Sequence, residues 1–222
     1  VDALVAASRM EENVELRDAE TRRNAVRSLV DLACSAGLAA RPDAEKEASA
    51  PGGLSTALYL RVADALIASL GDYQTDNRGD VGSWVREAAI TTAPRLLRLA
   101  LPTPGAGAEG SGAEGAGAEG SGAEGAAMRE ALPPLCARLV GALCQQINEK
   151  IDRMRELAAH TLRALLAEAE LPPVPMRDEL LAMLGGADAG ADASSIDFLA
   201  PQTCFPATVR LLSMGPYRRD AL

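Results

Sequence analysis

The sequence predicts an all-α protein, a solenoid of stacked helix pairs, and three observations lead to that expectation. The first is an apolar stripe used three times. Arg22 is followed by Ala25, Val26, Leu29, Val30, Leu32 and Ala33; Arg86 by Ala89, Ile90, Ala93, Leu96 and Leu97; Arg155 by Ala158, Ala159, Leu162, Leu165 and Leu166. The shared offsets of +3, +4, +7, +10 and +11 from the arginine draw one helical face in each case. The second is spacing. The arginines lie 64 and 69 residues apart, and each interval holds a further helical pattern, at about 54–70 and 127–147, as expected where helices come in pairs. The third is composition: of 222 residues 48% are hydrophobic but only 3% aromatic. A core of Ala, Leu and Val suits closely packed helices better than a β-sandwich.

Taken in order, Asp18-Ala19-Glu20-Thr21-Arg22-Arg23 opens the first long helix, and residues 54–70 read as the next. Between 71 and 81 the turn formers Gly, Asp and Asn cluster into a polar loop. Asp80 is placed to cap the following helix by accepting a backbone N–H from Gly82 or Ser83. Pro94 falls inside that helix and should kink or shorten it near Ile90. Residues 103–126 repeat Gly-Ala-Glu-Gly units, which bury too little apolar surface to offset their ordering entropy; a flexible loop joining the two helices of one unit is expected. The G-x-G-x-x-G matches at Gly105 and Gly115 have no strand before them and follow from the repetition. Leu171-Pro172-Pro173-Val174-Pro175 is a rigid break, followed by a short helix over 177–184, a Gly/Ala/Asp loop over 185–195, and a last helical segment from about Gln202.

Setting aside the Gly-rich stretch of roughly 24 residues brings the second interval to about 45, within the 40–47 of HEAT and armadillo units. Asp80 five residues before Val85-Arg86 fits the HEAT pattern, and Glu149 before Met154-Arg155 fits it loosely. The expected architecture is therefore a HEAT/armadillo-like, right-handed helical-pair solenoid. It consists of helix pairs over 1–101, a low-complexity loop over 102–126 and further helix pairs over 127–222.

A net charge of −9 argues against broad binding to a phosphate backbone. Cys34, Cys136, Cys144 and Cys204 form no C-x-x-C and read as small buried hydrophobes in a reducing compartment. No run of 18 apolar residues suggests a membrane span, and Val1-Asp2-Ala3-Leu4 is no signal peptide. A soluble cytosolic protein without membrane insertion is expected.

Motifs for chemistry are sparse. His160, the only histidine, has neither a second His nor a C-x-x-C beside it, so packing or a helix-surface place outweighs metal binding. Asp76 to Glu87 spans twelve residues with acids at both ends, but Arg78 occupies the third position and Gly79 the fourth, which rules out a calcium loop of the EF-hand kind. No G-x-x-x-x-G-K-[ST] phosphate loop and no strained nucleophile elbow occur. No cofactor, metal or catalytic residue is expected.

Candidate partner-binding residues are Tyr73, Asp76, Arg78, Asp80, Trp84 and Arg86 in the first polar loop and Lys150 and Arg153 in the second. Aromatics and arginine dominate binding hot spots, and conspicuous loops on rigid scaffolds often carry function. The competing reading is structural: Trp84 packs between repeats, Asp80 and Arg86 form an inter-repeat charge ladder, Asp76 caps a turn or pairs with Arg78, and the charges at 149–153 are a solvated face. The structural reading has the stronger claim for Trp84, Arg86, Lys150 and Arg153; the two stand level for Tyr73 and Arg78.

Residues 71–89, from Gly71-Asp72-Tyr73-Gln74 through Gly82-Ser83-Trp84-Val85-Arg86, closely resemble the matching loop and helix of the tubulin-folding cofactor D family. So do Gln145-Gln146-Ile147-Asn148-Glu149-Lys150-Ile151-Asp152-Arg153-Met154-Arg155, Ala158-Ala159-His160, Ala200-Pro201-Gln202, Phe205-Pro206 and Gly215-Pro216-Tyr217-Arg218, with an earlier echo over Asp18 to Arg23. The resemblance covers roughly residues 15 to 222 apart from 39–53, 102–127 and 185–194. It implies an internal fragment from the C-terminal half of a longer helical-repeat chaperone. Such a protein captures β-tubulin, joins other tubulin-folding cofactors and an Arf-like small GTPase, and assembles or dismantles αβ-tubulin dimers. In that assembly it promotes GTP hydrolysis by tubulin, with no catalytic centre of its own. The resemblance further implies a cytoplasmic place on the microtubule cytoskeleton, including the centrosome or basal body. The Gly/Ala/Glu insertion departs from the family pattern. The alternatives are a generic HEAT-repeat adaptor, whose periodicity would look the same, and an enzyme, which would need a pocket of converging polar groups.

Overall fold

The computed structural model describes residues 1–13, 18–39, 53–102, 119–185 and 196–219, with no side-chain description for 119–121. The first three helix pairs stack in two layers. They are α1 (Asp2–Ser8) with α2 (Ala19–Ala36), α3 (Thr56–Ser69) with α4 (Gly82–Ala100), and α5 (Glu119–Gln146) with α6 (Asp152–Ala167). Helices α2, α4 and α6 pack side by side in one layer and α1, α3 and α5 in the other. Then come α7 (Arg177–Met183), lying against α6, and α8 (Pro201–Thr208), which runs into 3₁₀ turns at Val209–Ser213 and Gly215–Tyr217. The chain is an all-α solenoid, and its only strands among the described residues are the two-residue pair β1 (Thr75–Asp76) and β2 (Gly79–Asp80).

The repeated stripe is the seam between the layers. Every +3, +4, +7, +10 and +11 residue of α4 and α6 is buried. In α2 the +10 residue departs, since Leu32 is 42% exposed while Val30 at +8 is fully buried. At 100° per residue, +8 and +10 lie on opposite edges of the stripe, so α2 turns its +8 edge inward.

Local signals set the starts of three helices. The Asp18 carboxylate caps α2 by accepting the Glu20 N–H at 2.9 Å and the Thr21 hydroxyl at 2.5 Å. The Ser55 hydroxyl caps α3 at Leu58, and Pro201 occupies the first turn of α8. Pro94 does not shorten its helix: α4 continues to Ala100, because Ile90, Ala93, Leu96, Leu97 and Ala100 are buried on both sides of it. Tertiary burial outweighs the one backbone bond lost at the proline.

Two expectations about the low-complexity stretch change. It lies between α4 and α5, hence between successive units; the short turns after α3 and α5 close the pairs. Helix α5 also begins at Glu119, inside the stretch expected to be loop. Glu124 gives that extension a footing on α3, its carboxylate accepting the Thr56 N–H at 2.7 Å and its carbonyl the Thr56 hydroxyl at 3.0 Å. These bonds hold the Glu124 carboxyl below its usual range. The loops expected at 103–118 and 186–195 lie outside the described residues.

Candidate partner-binding surface

The loop between α3 and α4 is built around Asp72, a nearly buried carboxylate at one edge of the stack. Its Oδ2 accepts the Arg22 Nε–H at 2.7 Å, its Oδ1 accepts the Gln74 N–H at 3.1 Å, and its carbonyl accepts Arg86 Nη1 at 2.5 Å. Arg22 also donates to the Gln74 side-chain carbonyl. The Gln74 carbonyl in turn accepts the Gly82 N–H at 2.9 Å, closing the loop onto the start of α4. Position 82 has room only for glycine: a Cβ there would lie 2.3 Å from the Asp72 carbonyl oxygen and 2.7 Å from the Gln74 nitrogen. Asp80 accepts the Ser83 N–H at 3.0 Å, so the expected cap is present.

Arg86 is fully buried. It binds Asp80 through both terminal nitrogens, at 2.8 and 3.3 Å, and reaches the Glu149 carboxylate of the next loop at 3.6 Å. The Tyr73 ring lies over its guanidinium, 4.2 Å from the centroid. Arg155 repeats the device one unit on. It donates to the carbonyls of Glu149 (2.8 Å) and Lys150 (3.0 Å) in its own loop and to those of Phe198 (3.0 Å) and Leu199 (2.9 Å) in the following one. The three arginines that head the stripes are each buried and donate to loop acceptors, as a buried charge requires, although Arg86 Nε finds no partner among the described residues. Glu149 does not repeat the role of Asp80. Its carboxylate reaches back to Arg86, while only its carbonyl meets Arg155.

The ladder removes Arg86 from the set of residues a partner could touch and leaves Asp80 as its counter-ion. Trp84 is half-buried against the core, with the Arg78 guanidinium 4.9 Å from its ring centroid. Arg78 is exposed; its side chain forks onto Asp76 at 2.8 and 3.1 Å and approaches Glu20 at 3.5 Å. These bonds hold the Asp76 carboxyl below its usual range and raise the Arg78 guanidinium. Tyr73 is 43% exposed, its hydroxyl accepting from Gln146 Nε2 at 3.1 Å; burial and the neighbouring Glu149 push its phenol up to about 12. Lys150 is exposed in the adjoining turn and Arg153 in the first turn of α6, 3.9 Å from Glu87. The structure therefore brings Tyr73, Arg78, Trp84, Lys150 and Arg153 to one edge, on neighbouring loops that share Gln146 and Glu149. Arg22, Asp72, Gln74 and Gly82 were not singled out as site residues. Arg22 was legible as the head of the first stripe, whereas Asp72 and Gly82 have no sequence signal beyond their place in the loop.

Elsewhere the surface offers little chemistry. His160 is exposed on α6, and among the described residues no group of three or more His, Cys, Asp or Glu is arranged to hold a metal ion. Cys136, Cys144 and Cys204 are buried and Cys34 half-buried, none of them in a disulfide. No helix among the described residues is long and apolar enough to cross a membrane.

Residues 137–222 match the family model described as tubulin folding cofactor D C terminal. Over those residues the chain is similar to the tubulin folding cofactor D family. The matched segment takes in the end of α5, all of α6 to α8, and Gln146, Glu149, Lys150, Arg153 and Arg155; residues 71–86 precede it and meet it through Arg86–Glu149 and Tyr73–Gln146. No solved structure matches the chain.

Proposed function

We propose that this chain is a non-catalytic scaffold of tubulin folding. In this reading it captures β-tubulin, alone or within the αβ dimer, along its loop edge. It works beside other tubulin-folding cofactors and an Arf-like GTPase, and its contribution to tubulin GTP hydrolysis comes through that assembly rather than from a catalytic group in the chain. The cytoplasmic microtubule cytoskeleton is the corresponding location. The observation that carries the proposal is the loop edge itself. Tyr73, Arg78 and Trp84 stand on a loop immobilised by Arg22, Asp72 and Arg86, and that loop is bonded to the matched segment. Exposed aromatic and arginine side chains on a rigid base lose little freedom on binding, which is what a hot spot needs.

Sedimentation velocity of the chain titrated with αβ-tubulin tests this reading. Binding that weakens at least tenfold in a Tyr73→Ala/Arg78→Ala variant, with unchanged helix content, supports it. An unaltered complex in that variant, or no complex with the well-folded chain, would overturn the assignment of tubulin contact to this edge.

A further inference from the structure

Helix α5 joins two segments of different character at Met128. From Met128 onward its inward side is packed, with Met128, Leu132, Leu135, Cys136 and Leu139 all buried. Before Met128 the helix runs through the nine residues 119–127, Glu-Gly-Ser-Gly-Ala-Glu-Gly-Ala-Ala, which hold no large apolar side chain. Gly122, Ala123, Ala126 and Ala127 are exposed. Glycine is the poorest residue for a helix interior apart from proline, and it occupies positions 120, 122 and 125. Neither propensity nor burial accounts for a helix here.

What ties these turns to the stack is Glu124. Its carboxylate accepts the Thr56 N–H at 2.7 Å and its carbonyl accepts the Thr56 hydroxyl at 3.0 Å. Both bonds meet the first turn of α3, where N–H groups have no partner within the helix. The Ser55 cap accepts the Leu58 N–H and leaves that of Thr56 to Glu124. A carboxylate at this end is also favoured by the dipole of α3. A helix start that buries little and is fastened at one residue belongs to the low-stability end of a fold, where local opening occurs without global unfolding.

We propose that the turns of α5 before Met128 form a strap that closes on α3 through Glu124 and opens by a helix–coil transition while the rest of the stack stays folded. Opening frees the Thr56 N–H and hydroxyl and passes up to nine residues, 119–127, to the connection between the second and third helix pairs. A residue advances about 1.5 Å in a helix and at most about 3.3–3.6 Å when extended, so the open strap lengthens the reach of that connection. Closed, it fixes the start of the third pair on the second. The strap is independent of the loop edge and does not rest on the tubulin reading.

Hydrogen–deuterium exchange of the full chain, read by mass spectrometry over 54–58, 119–127 and 128–146, tests it. After correction for intrinsic rates, the parent should exchange roughly tenfold or more faster over 119–127 than over 128–146, yet slower than an unfolded chain. Glu124→Ala raises helix propensity while removing the side-chain bond, so it separates the two causes. Exchange over 119–127 and 54–58 should then rise by roughly tenfold. Thr56→Val, which removes only the hydroxyl bond, should raise it less. Gly122→Ala should slow it, because nothing lies within 4 Å of a Cβ there. Exchange in α4 and α6 should stay unchanged in all three variants. Protection over 119–127 equal to that over 128–146 would overturn the inference, as would exchange at the unfolded rate in the parent. So would exchange in Glu124→Ala that is unchanged or slower, or a rise that spreads through α4 and α6.

Discussion

Replacing Gly82 with alanine should unlatch the loop edge from the helix stack. The added methyl would sit 2.3 Å from the Asp72 carbonyl oxygen, 2.6 Å from its Oδ1 and 2.7 Å from the Gln74 nitrogen. Ordinary contact for such pairs begins at 3.4 Å, so the loop must retreat by more than an ångström. None of the three atoms is free to do so, since the carbonyl holds Arg86, the carboxylate holds Arg22, and the Gln74 amide is bonded to Asp72. Overpacking of this kind destabilises by about 1–3 kcal/mol, and loss of one charge-assisted buried hydrogen bond adds about 1.5–3 kcal/mol. Alanine in place of glycine at a helical position returns about 0.5–1 kcal/mol. The balance is a loss of about 2–5 kcal/mol, or roughly 5–15 °C in Tm for a chain of this size. Urea unfolding followed by far-UV circular dichroism and by fluorescence of Trp84, the sole tryptophan, measures it. Gly215→Ala is the control, because nothing lies within 4 Å of a Cβ there, and it should stay within about 0.5 kcal/mol of the parent. A Gly82→Ala chain as stable as that control would refute the account of the loop.

Arg86→Met should destabilise by about 3–5 kcal/mol, since Asp80, Glu149 and the Asp72 carbonyl would all lose their donor; a urea midpoint close to the parent's would count against the ladder. Asp18→Ala should remove about 1 kcal/mol of capping near neutral pH. The folded carboxyl titrates below its ordinary value, chiefly through the Thr21 hydroxyl, so the contribution is present above the unfolded pKa of about 3.9 and fades as pH falls through the lowered folded value. The gap between parent and Asp18→Ala in thermal unfolding should therefore close in acid. Toward a thiol reagent at pH 8, Cys34 should react first, and Cys136, whose thiol burial pushes up to about 12, only on unfolding. Fast labelling of Cys136 in the native chain would contradict its place in the core.

Local and periodic features were legible in advance. The arginine-headed stripes located three helices and the layer seam, and the Asp80 cap and the proline-rich break located their ends. Long-range choices were not. Leu32 and Val30 sit symmetrically about the stripe, and only the neighbours of α2 decide which one is buried. Pro94 signals a break by local rules, yet burial on both flanks carries the helix through. The extension of α5 into a Gly/Ala/Glu stretch depends on Thr56, 68 residues from Glu124 in the sequence. In the candidate surface, the residue types marked the right loop but could not separate the buried Arg86 from the exposed Arg78, because both are arginines close to an aspartate. The partition depends on which of them faces the next unit.

The arginine ladder runs along only one border of the stack. Short turns and buried charge-assisted bonds line that border, from Asp72 through Arg86 and Glu149 to Arg155 and Phe198, whereas α2 and α4 end at the opposite border. Bonds in a low-dielectric setting resist stretching far more than apolar surfaces resist sliding. The molecule is thus built like a book: its spine is held at constant length, and bending opens or closes the pages on the other side. A cargo held at the spine would feel a nearly fixed geometry, while one gripping the open edge would trade its binding energy against curvature.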